Sequence, residues 1–236
     1  MKVYYDLHIH SALSPCGDDD MTPNNIVNMA KLSGLDIIAV TDHNSVGNCA
    51  SAVAVGKEVG VTVLCGMELE TSEEVHIVTL FPDSQSAQQF GEYVESKRLK
   101  IKNDATVYGN QLYLNENDEV VGNEENLLIT ATTIGVYDIV EIVKRYGGIA
   151  YPAHIDRYSH GILQMLGDID EDMGFSAVEI SANATSEFVQ SWIDRGYIVV
   201  RSSDAHYLHN INEQSSNFFE LEEISAQAVL DKLGKR

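Results

Sequence analysis

Apolar and polar positions in this chain alternate between two rhythms, short apolar runs and longer stretches with helical spacing. Val3–Ile9, Leu35–Val40, Val61–Cys65 and Val75–Phe81 are compact runs rich in Val, Ile and Leu, the pattern of strands covered on both faces. Between the first two, Thr22-Pro23 supplies an N-cap and a first-turn proline for a helix that places Ile26, Val27 and Ala30 on one face and stops at Gly34. A second helix over Asn48–Val59 ends at Gly60. Strand and helix in alternation predict βα units and a largely parallel sheet or barrel. From Pro82-Asp83 to about Ile129 the pattern changes to a polar helix over Ser84–Lys102 and a hairpin around Asn115–Asp118, read as an insertion at 83–129 within a single domain spanning 1–236. The rhythm then resumes with a helix over Val136–Tyr146, strand Gly148–Ala153, helix Ser159–Leu166, strand Ala177–Ser181, helix Ser186–Arg195, strand Tyr197–Ser202 and a last helix over Ser225–Leu233. The main rhythm holds seven strand candidates, one short of the usual eight-stranded barrel.

Chemistry collects where those strands end. DLHIH closes the first, TDH the second, GMELE the third, PAH the fifth and SSDAH the last. The C-terminal ends of parallel strands share one rim, which is where barrel enzymes hold their sites. His8 and His10 are two residues apart, as are Asp204 and His206, so each pair projects to one face of its strand. A single histidine at a strand end is ordinarily a satisfied polar residue. Here five of the eight histidines (His8, His10, His43, His154, His206) coincide at strand exits with Glu68 and Asp204, and that coincidence points to divalent metal. Imidazole with carboxylate suits Zn, Mn or Fe. His160 and His209 stand outside the set and read as surface-loop residues.

The order HxH, TDH, GxE, a later strand-end His and SDAH, from Asp6 to about His206, resembles the PHP (polymerase and histidinol phosphatase) superfamily. The resemblance implies an α/β fold, a distorted (β/α)7 TIM-like barrel with an inserted segment, two or three divalent metal ions and hydrolysis of phosphoesters. Residue by residue, it implies that His8, His10, Glu68 and Asp204 hold one metal, that Glu68 bridges to a second completed by His76 and His154, and that His43 and His206 hold a third. His76 opens its strand, so it reaches the common rim if the chain doubles back between Glu68 and Phe81, and is otherwise no ligand. Family members place His, and many phosphoesterase-like members Asp, five residues after the second His of HxH, where this chain has Pro15. Reading SPCGDDDMTP as the family's loop with three extra residues aligns Asp18 with that ligand, with Asp19, Asp20 and Cys16 as alternatives. The expected mechanism uses two ions sharing Glu68 to activate water, with Asp42 or His206 protonating or orienting the leaving group. Asp42 equally reads as an acceptor that fixes the tautomer of a ligand His. Arg157, in AHIDR, offers phosphate a two-pronged donor or pairs with Asp156 or a neighbouring loop carboxylate.

Composition adds constraints. The 236 residues carry 15 Lys+Arg against 36 Asp+Glu, a net charge of −21 with histidine neutral. Such a surface repels phosphate polymers and anionic lipid, so a small phosphorylated substrate is expected, a nucleic-acid polymer unlikely and a membrane excluded. No apolar run approaches the ~18 residues of a membrane span or forms a signal core, which predicts a cytoplasmic chain. Cys16, Cys49 and Cys65 are an odd number, against a disulfide framework, and Cys49 and Cys65 read as small buried hydrophobes. Two rival functions fit parts of the pattern. An amidohydrolase-like C–N hydrolase also opens with HxH and ends with Asp but would call for a Lys where Glu68 stands. A non-catalytic metal-binding regulatory domain would keep the fold without turnover.

Overall fold

The computed structural model describes residues 1–214 and 217–235. β1 (Lys2–Ile9) leads through α1 (Pro23–Leu32) to β2 (Ile37–Val40), and on through α2 (Cys49–Val59) to β3 (Thr62–Glu70), the three strands pairing in parallel. The local signals act as read: Thr22 caps α1 by accepting from the Asn25 N–H, and Gly60 closes α2 with a φ of 78°. Alternation sorts the strand residues between two cores. Val3, Tyr5, Leu7, Ile37, Ala39 and Leu64 form one core, while Ile38, Val40 and Cys65 pack with Ile26, Val27 and Ala52 of the helices, joined by Ile9 after the register of β1 shifts between Asp6 and Ile9.

The parallel order breaks at β4 (His76–Phe81). Residues 71–75 are too few for the crossover that a parallel partner needs, a dozen residues or more. The chain turns back through Glu74 at φ 61°, and β4 pairs antiparallel to β3 with Glu70 opposite His76 and Glu68 opposite Val78. α3 (Ser84–Glu95), α4 (Ala105–Tyr108) and the hairpin of β5 (Leu112–Leu114) and β6 (Val120–Asn123) follow. α3 is capped by Asp83, which accepts from the Ser86 N–H, and ends well before Lys102. After α5 (Ile139–Lys144), β7 (Ile149–Pro152) lies antiparallel to β4. The chain continues with α6 (Ile162–Leu166), β8 (Ala177–Glu179), α7 (Ser186–Asp194) and β9 (Ile198–Val200), in which β8 and β9 form a separate parallel pair. β10 (Phe218–Glu220), which the sequence pattern did not announce, pairs antiparallel with β1, and Phe219 stacks on Tyr5 at 4.0 Å. α8 (Ala226–Leu233) closes the described chain.

The architecture is thus mixed α/β with a curled half-barrel sheet in the order β10-β1-β2-β3-β4-β7, and the expectation of a seven-stranded parallel barrel is corrected to that extent. At the rim, isolated hydrogen bonds complete the curve: Ile155 N–H to Glu179 O and His10 N–H to Ala205 O, each 2.9 Å. Segment 105–123 straps the loop after β1. The Leu112 N–H donates to Ala12 O at 2.8 Å, and the Asp118 carboxylate accepts from Thr22 Oγ1 at 2.7 Å and Asn24 N at 3.0 Å. No helix among the described residues is long and apolar enough to cross a membrane.

The β3/β4 pairing leaves no room at Gly66, where a Cβ would lie 2.6 Å from the Thr79 carbonyl oxygen and 2.8 Å from Thr41 Cγ2. Gly66→Ala is expected to cost roughly 1–3 kcal/mol, typical of overpacking against backbone. The urea midpoint should fall; an unchanged midpoint would show that the two strands part there without penalty.

Candidate metal centre

Six short segments deliver side chains to one pocket. β1 exits into His8 and His10, both fully buried. The exit of β2 stays in register with β3, the Asn44 N–H donating to Glu68 O at 3.0 Å, so His43 stands beside Glu68. The reversal into β4 puts His76 on the same rim, and β7 exits into His154. His154 and Asp204 hold φ angles of 27° and 51°, and Asn44 one of 47°, left-handed values that non-glycine residues keep where a site over-determines the backbone.

Glu68 is the hub. Nε2 of His8 and of His10 lie 3.3 Å from its oxygens, Nδ1 of His43 3.1 Å, Nδ1 of His76 2.9 Å and Nε2 of His154 3.0 Å. Five imidazole nitrogens exceed the roughly four lone-pair sites of a carboxylate, so hydrogen bonding alone does not satisfy the set. Asp204 Oδ1 adds contacts of 3.3 Å to His8 Nε2 and 3.0 Å to His10 Nε2. Despite these approaches, His43 Nδ1, His154 Nδ1 and Asp204 Oδ1 are buried without a hydrogen bond of proper angle.

Outer residues assign the tautomers. Glu179 accepts from His8 Nδ1 at 3.0 Å, which turns Nε2 inward. Ser14 Oγ donates to Asp42 at 2.7 Å, so it accepts from His10 Nδ1 at 2.9 Å and leaves the Nε2 lone pair facing the pocket. His206 Nδ1 donates to the Asp204 carbonyl at 2.8 Å, again freeing Nε2. His8 Nε2 and His10 Nε2 then face each other at 3.2 Å, a contact that requires a proton or a cation between them.

The electrostatics agree. Burial pulls His8 down, but Glu179, Glu68 and Asp204 outweigh it and hold the imidazole well above its usual range; His10, also buried, is carried to about 9 by Asp204 and Glu68. Burial would raise Glu68, yet His76, His8 and His43 hold it well below the carboxylate range, and His8 and His10 do the same for Asp204. Burial, with His10 beside it, pushes His206 down to about 4. The pocket therefore keeps two ionised carboxylates and takes up protons on His8 and His10 unless a cation replaces them. Groups of donors within 4.8 Å of one another among the described residues are His8, His10, Glu68 and Asp204; His43, Glu68 and His76; His10, Cys16, His43 and His206; and Glu70, His76 and His160.

Several expectations need correction. Asp18 belongs to none of these groups among the described residues, and its carboxylate accepts instead from the Asp20 N–H at 2.9 Å. The loop does not bulge outward by three residues; the Ser14 N–H to Ser11 O and Gly17 N–H to Ser14 O bonds coil it inward, and Cys16 arrives where an acidic ligand was expected. Gly17 is required there, since a Cβ would lie 2.6 Å from Ser11 O. Of the two readings of Asp42, the bonds fit the outer acceptor and not the leaving-group acid: its oxygens are taken by Ser11 N at 2.7 Å, Ser11 Oγ at 2.6 Å and Ser14 Oγ, the last of which holds His10. His206, with its Nδ1 proton committed, carries none at Nε2 to give a leaving group. Arg157 pairs with Asp204, not Asp156, which accepts from Ser181 N at 2.8 Å. Sequence reasoning missed Glu179, although it ends a strand; Ser14, whose role appears only through Asp42; and Glu70 and His160. The His160 ring stacks on His76 at 4.3 Å, and the spacing of Glu70 from Glu68 already placed both on one face. The cavity over the hub measures about 100 Å³. That leaves room for a phosphoryl group, and the cavity opens to solvent beside Arg157 and His160.

The PHP domain model matches residues 6–194. A 5'-3' exoribonuclease of Haemophilus influenzae is 32% identical over 105 residues, 43% of this chain and 37% of that protein. A 3',5'-nucleoside bisphosphate phosphatase of Chromobacterium violaceum is 36% identical over 78 residues, 32% of this chain and 26% of that protein. The chain thus aligns with well under half the length of these curated relatives. Among solved structures, the lesion-specific endonuclease Q of Pyrococcus furiosus superposes with a TM-score of 0.72 at 20% identity over 99% of this chain and 56% of that one. An endonuclease Q complex with a 27-mer duplex substrate gives 0.70 at 17% identity, with the same coverage. The expectation that a nucleic-acid polymer is an unlikely partner does not survive these relatives. Net charge sums the whole surface, whereas contact with a strand depends on the field at the site, where divalent ions are the largest local charges. The match over residues 6–194, on a pocket built from HxH, TDH, Glu68, His154 and SDAH, establishes that the chain belongs to the PHP domain family.

Proposed function

We propose that this chain is a metal-dependent hydrolase of phosphoric esters carried on nucleosides, whether free nucleotides or the residues of a strand. The observation that carries the reading is the convergence of five imidazole nitrogens on Glu68 beneath a cavity of phosphoryl size. The named relatives share the nucleoside phosphoester as their chemical denominator, which supports that substrate class over others.

In this reading His8, His10, Glu68 and Asp204 hold one divalent ion, and Glu68 with His76 and His154 holds a second, the metals being Mn, Fe or Zn. Bound ions supply Lewis acidity toward the phosphoryl group and toward water. The chain's own residues do the rest. Glu68 and Asp204 stay ionised, and Glu179 and Ser14 hold the His8 and His10 rings with lone pairs inward. Arg157, half exposed at the cavity wall, turns its guanidinium toward Asp204 and the space a phosphate occupies. A free nucleotide and a strand present the same phosphoryl group to such a site. The rival C–N hydrolase is not favoured: the shared acceptor is Glu68, and no lysine lines the cavity among the described residues.

Three outcomes test the reading. A panel of nucleotides, oligonucleotides, amides and lactones assayed with Mn, Fe or Zn should give turnover of phosphoesters, abolished in His10→Ala and Asp204→Ala; turnover of amides or lactones with silence on phosphoesters would overturn it. Arg157→Ala should raise KM about 10- to 100-fold, the loss of a charge-assisted hydrogen bond worth ~1.5–3 kcal/mol. Glu179→Gln, which keeps the shape but weakens the hold on His8, should lower metal affinity roughly 10- to 100-fold in chelator competition.

A further inference from the structure

Cys16 is the donor that the family pattern does not account for. Its thiol lies with one nitrogen each of His10, His43 and His206, the four atoms all within 4.8 Å of one another. His10 commits Nδ1 to Ser14 and has one lone pair, on Nε2, already facing His8, Glu68 and Asp204. It can serve only one ion, and the first site claims it. What remains is Cys16, His43 and His206. His206 has Nε2 free, and His43, 5% exposed, brings Nδ1 to 3.1 Å from Glu68 Oε2 without forming a hydrogen bond there, which leaves its lone pair to an ion.

The loop is built to keep the thiol in place. The Asp18 N–H donates to His206 O at 3.0 Å, tying the turn to the residue that shares the site. Across the turn Gly109, at φ 104°, lies so close to the Pro15 carbonyl that no side chain fits between them. The other two thiols are buried elsewhere, Cys49 against Val40 O at 3.4 Å and Cys65 against Ser84 Oγ at 3.4 Å.

We infer that Cys16, His43 and His206 form a thiolate-containing third metal site that keeps a coordination position open toward the cavity and takes zinc in preference to manganese or magnesium. The inference rests on the metal-centre reading above and adds a chemical distinction within it. Three protein ligands with one open position are the pattern of catalytic zinc sites, whereas closed sites use four. A thiolate is a soft donor that manganese and magnesium bind poorly, while the carboxylate and imidazole donors of the first site accept manganese, iron or zinc alike. The centre would then be mixed, its third ion chosen by sulfur.

Cobalt is the probe, because a cobalt–thiolate bond gives a near-ultraviolet charge-transfer absorption that imidazole and carboxylate ligands do not. The full chain, stripped and reloaded with cobalt alone, should show that band, and Cys16→Ser should lose it together with about one equivalent of bound metal. Cys16→Asp should restore the metal count without the band and let manganese fill the site that the wild type leaves empty in manganese alone. Zinc loading should protect Cys16 from alkylation. A wild type that binds its full complement of cobalt without the band, or a Cys16→Ser variant with unchanged metal count, overturns the inference and leaves the proposed hydrolase intact. Failure of the wild type and all variants to bind any divalent ion overturns both.

Discussion

The site depends on one carboxylate. Glu68 is buried to 1% exposure, yet it stays ionised because five imidazoles from four strand ends point at it. An isolated buried carboxylate would take up a proton, and buried His8 and His10 without their neighbouring anions would shed theirs. Neither half is stable alone. Together they form a compact polar core whose spare lone pairs suit divalent ions, and the sheet order follows from having to deliver those side chains to one point. The antiparallel return of β4 is the clearest case, since a parallel strand would carry His76 to the opposite rim.

Around that core, a second ring of residues decides which atom of each ligand faces inward. Asp42 acts two bonds away, ordering Ser14 so that His10 carries its proton on Nδ1, and Glu179 does the same for His8 across the gap in the sheet. Glu179 also accepts from the His154 N–H at 3.2 Å, so one carboxylate orients one ligand ring and fixes the strained backbone of another. The β8/β9 pair, which shares no strand ladder with the main sheet among the described residues, is held to it by Ala177 and Val200 in the inner core, by isolated bonds, and by Glu179 at the site.

The sequence was most legible where a signal was local. Thr22-Pro23, Gly60 and the compact apolar runs placed α1, α2, β1 and β2 to within a residue or two, while β3 runs on from Cys65 to Glu70. The histidines at strand exits were legible for the same reason, because strand direction and residue parity set where they point. What was hidden depended on contacts distant in sequence. β10 is three residues long and is a strand because β1 offers an edge and Tyr5 a ring for Phe219. The end of α3 at Glu95 and the inward coil of residues 14–17 are set by packing, so matching the loop to a pattern by length pointed to Asp18 and passed over Cys16. Asp42 had the right neighbours in sequence for either of its two readings, and its bonds to Ser11 and Ser14 decide between them, which adjacency does not.

The charge of the chain illustrates the same difference of scale. A sum of −21 is a property of the far field and bears on encounter with a polyanion at low salt. The metal-ligand pocket samples a few ångströms. There Glu68 and Asp204 are the carboxylates, and an array of imidazoles and the Arg157 guanidinium surround them. Two or three divalent ions would bring about +4 to +6 into that volume, more than its carboxylates remove. The acidic exterior then bears on how a polyanion arrives, and the charge within the pocket on what is held once it is there, so the sign of the summed surface does not by itself exclude a strand.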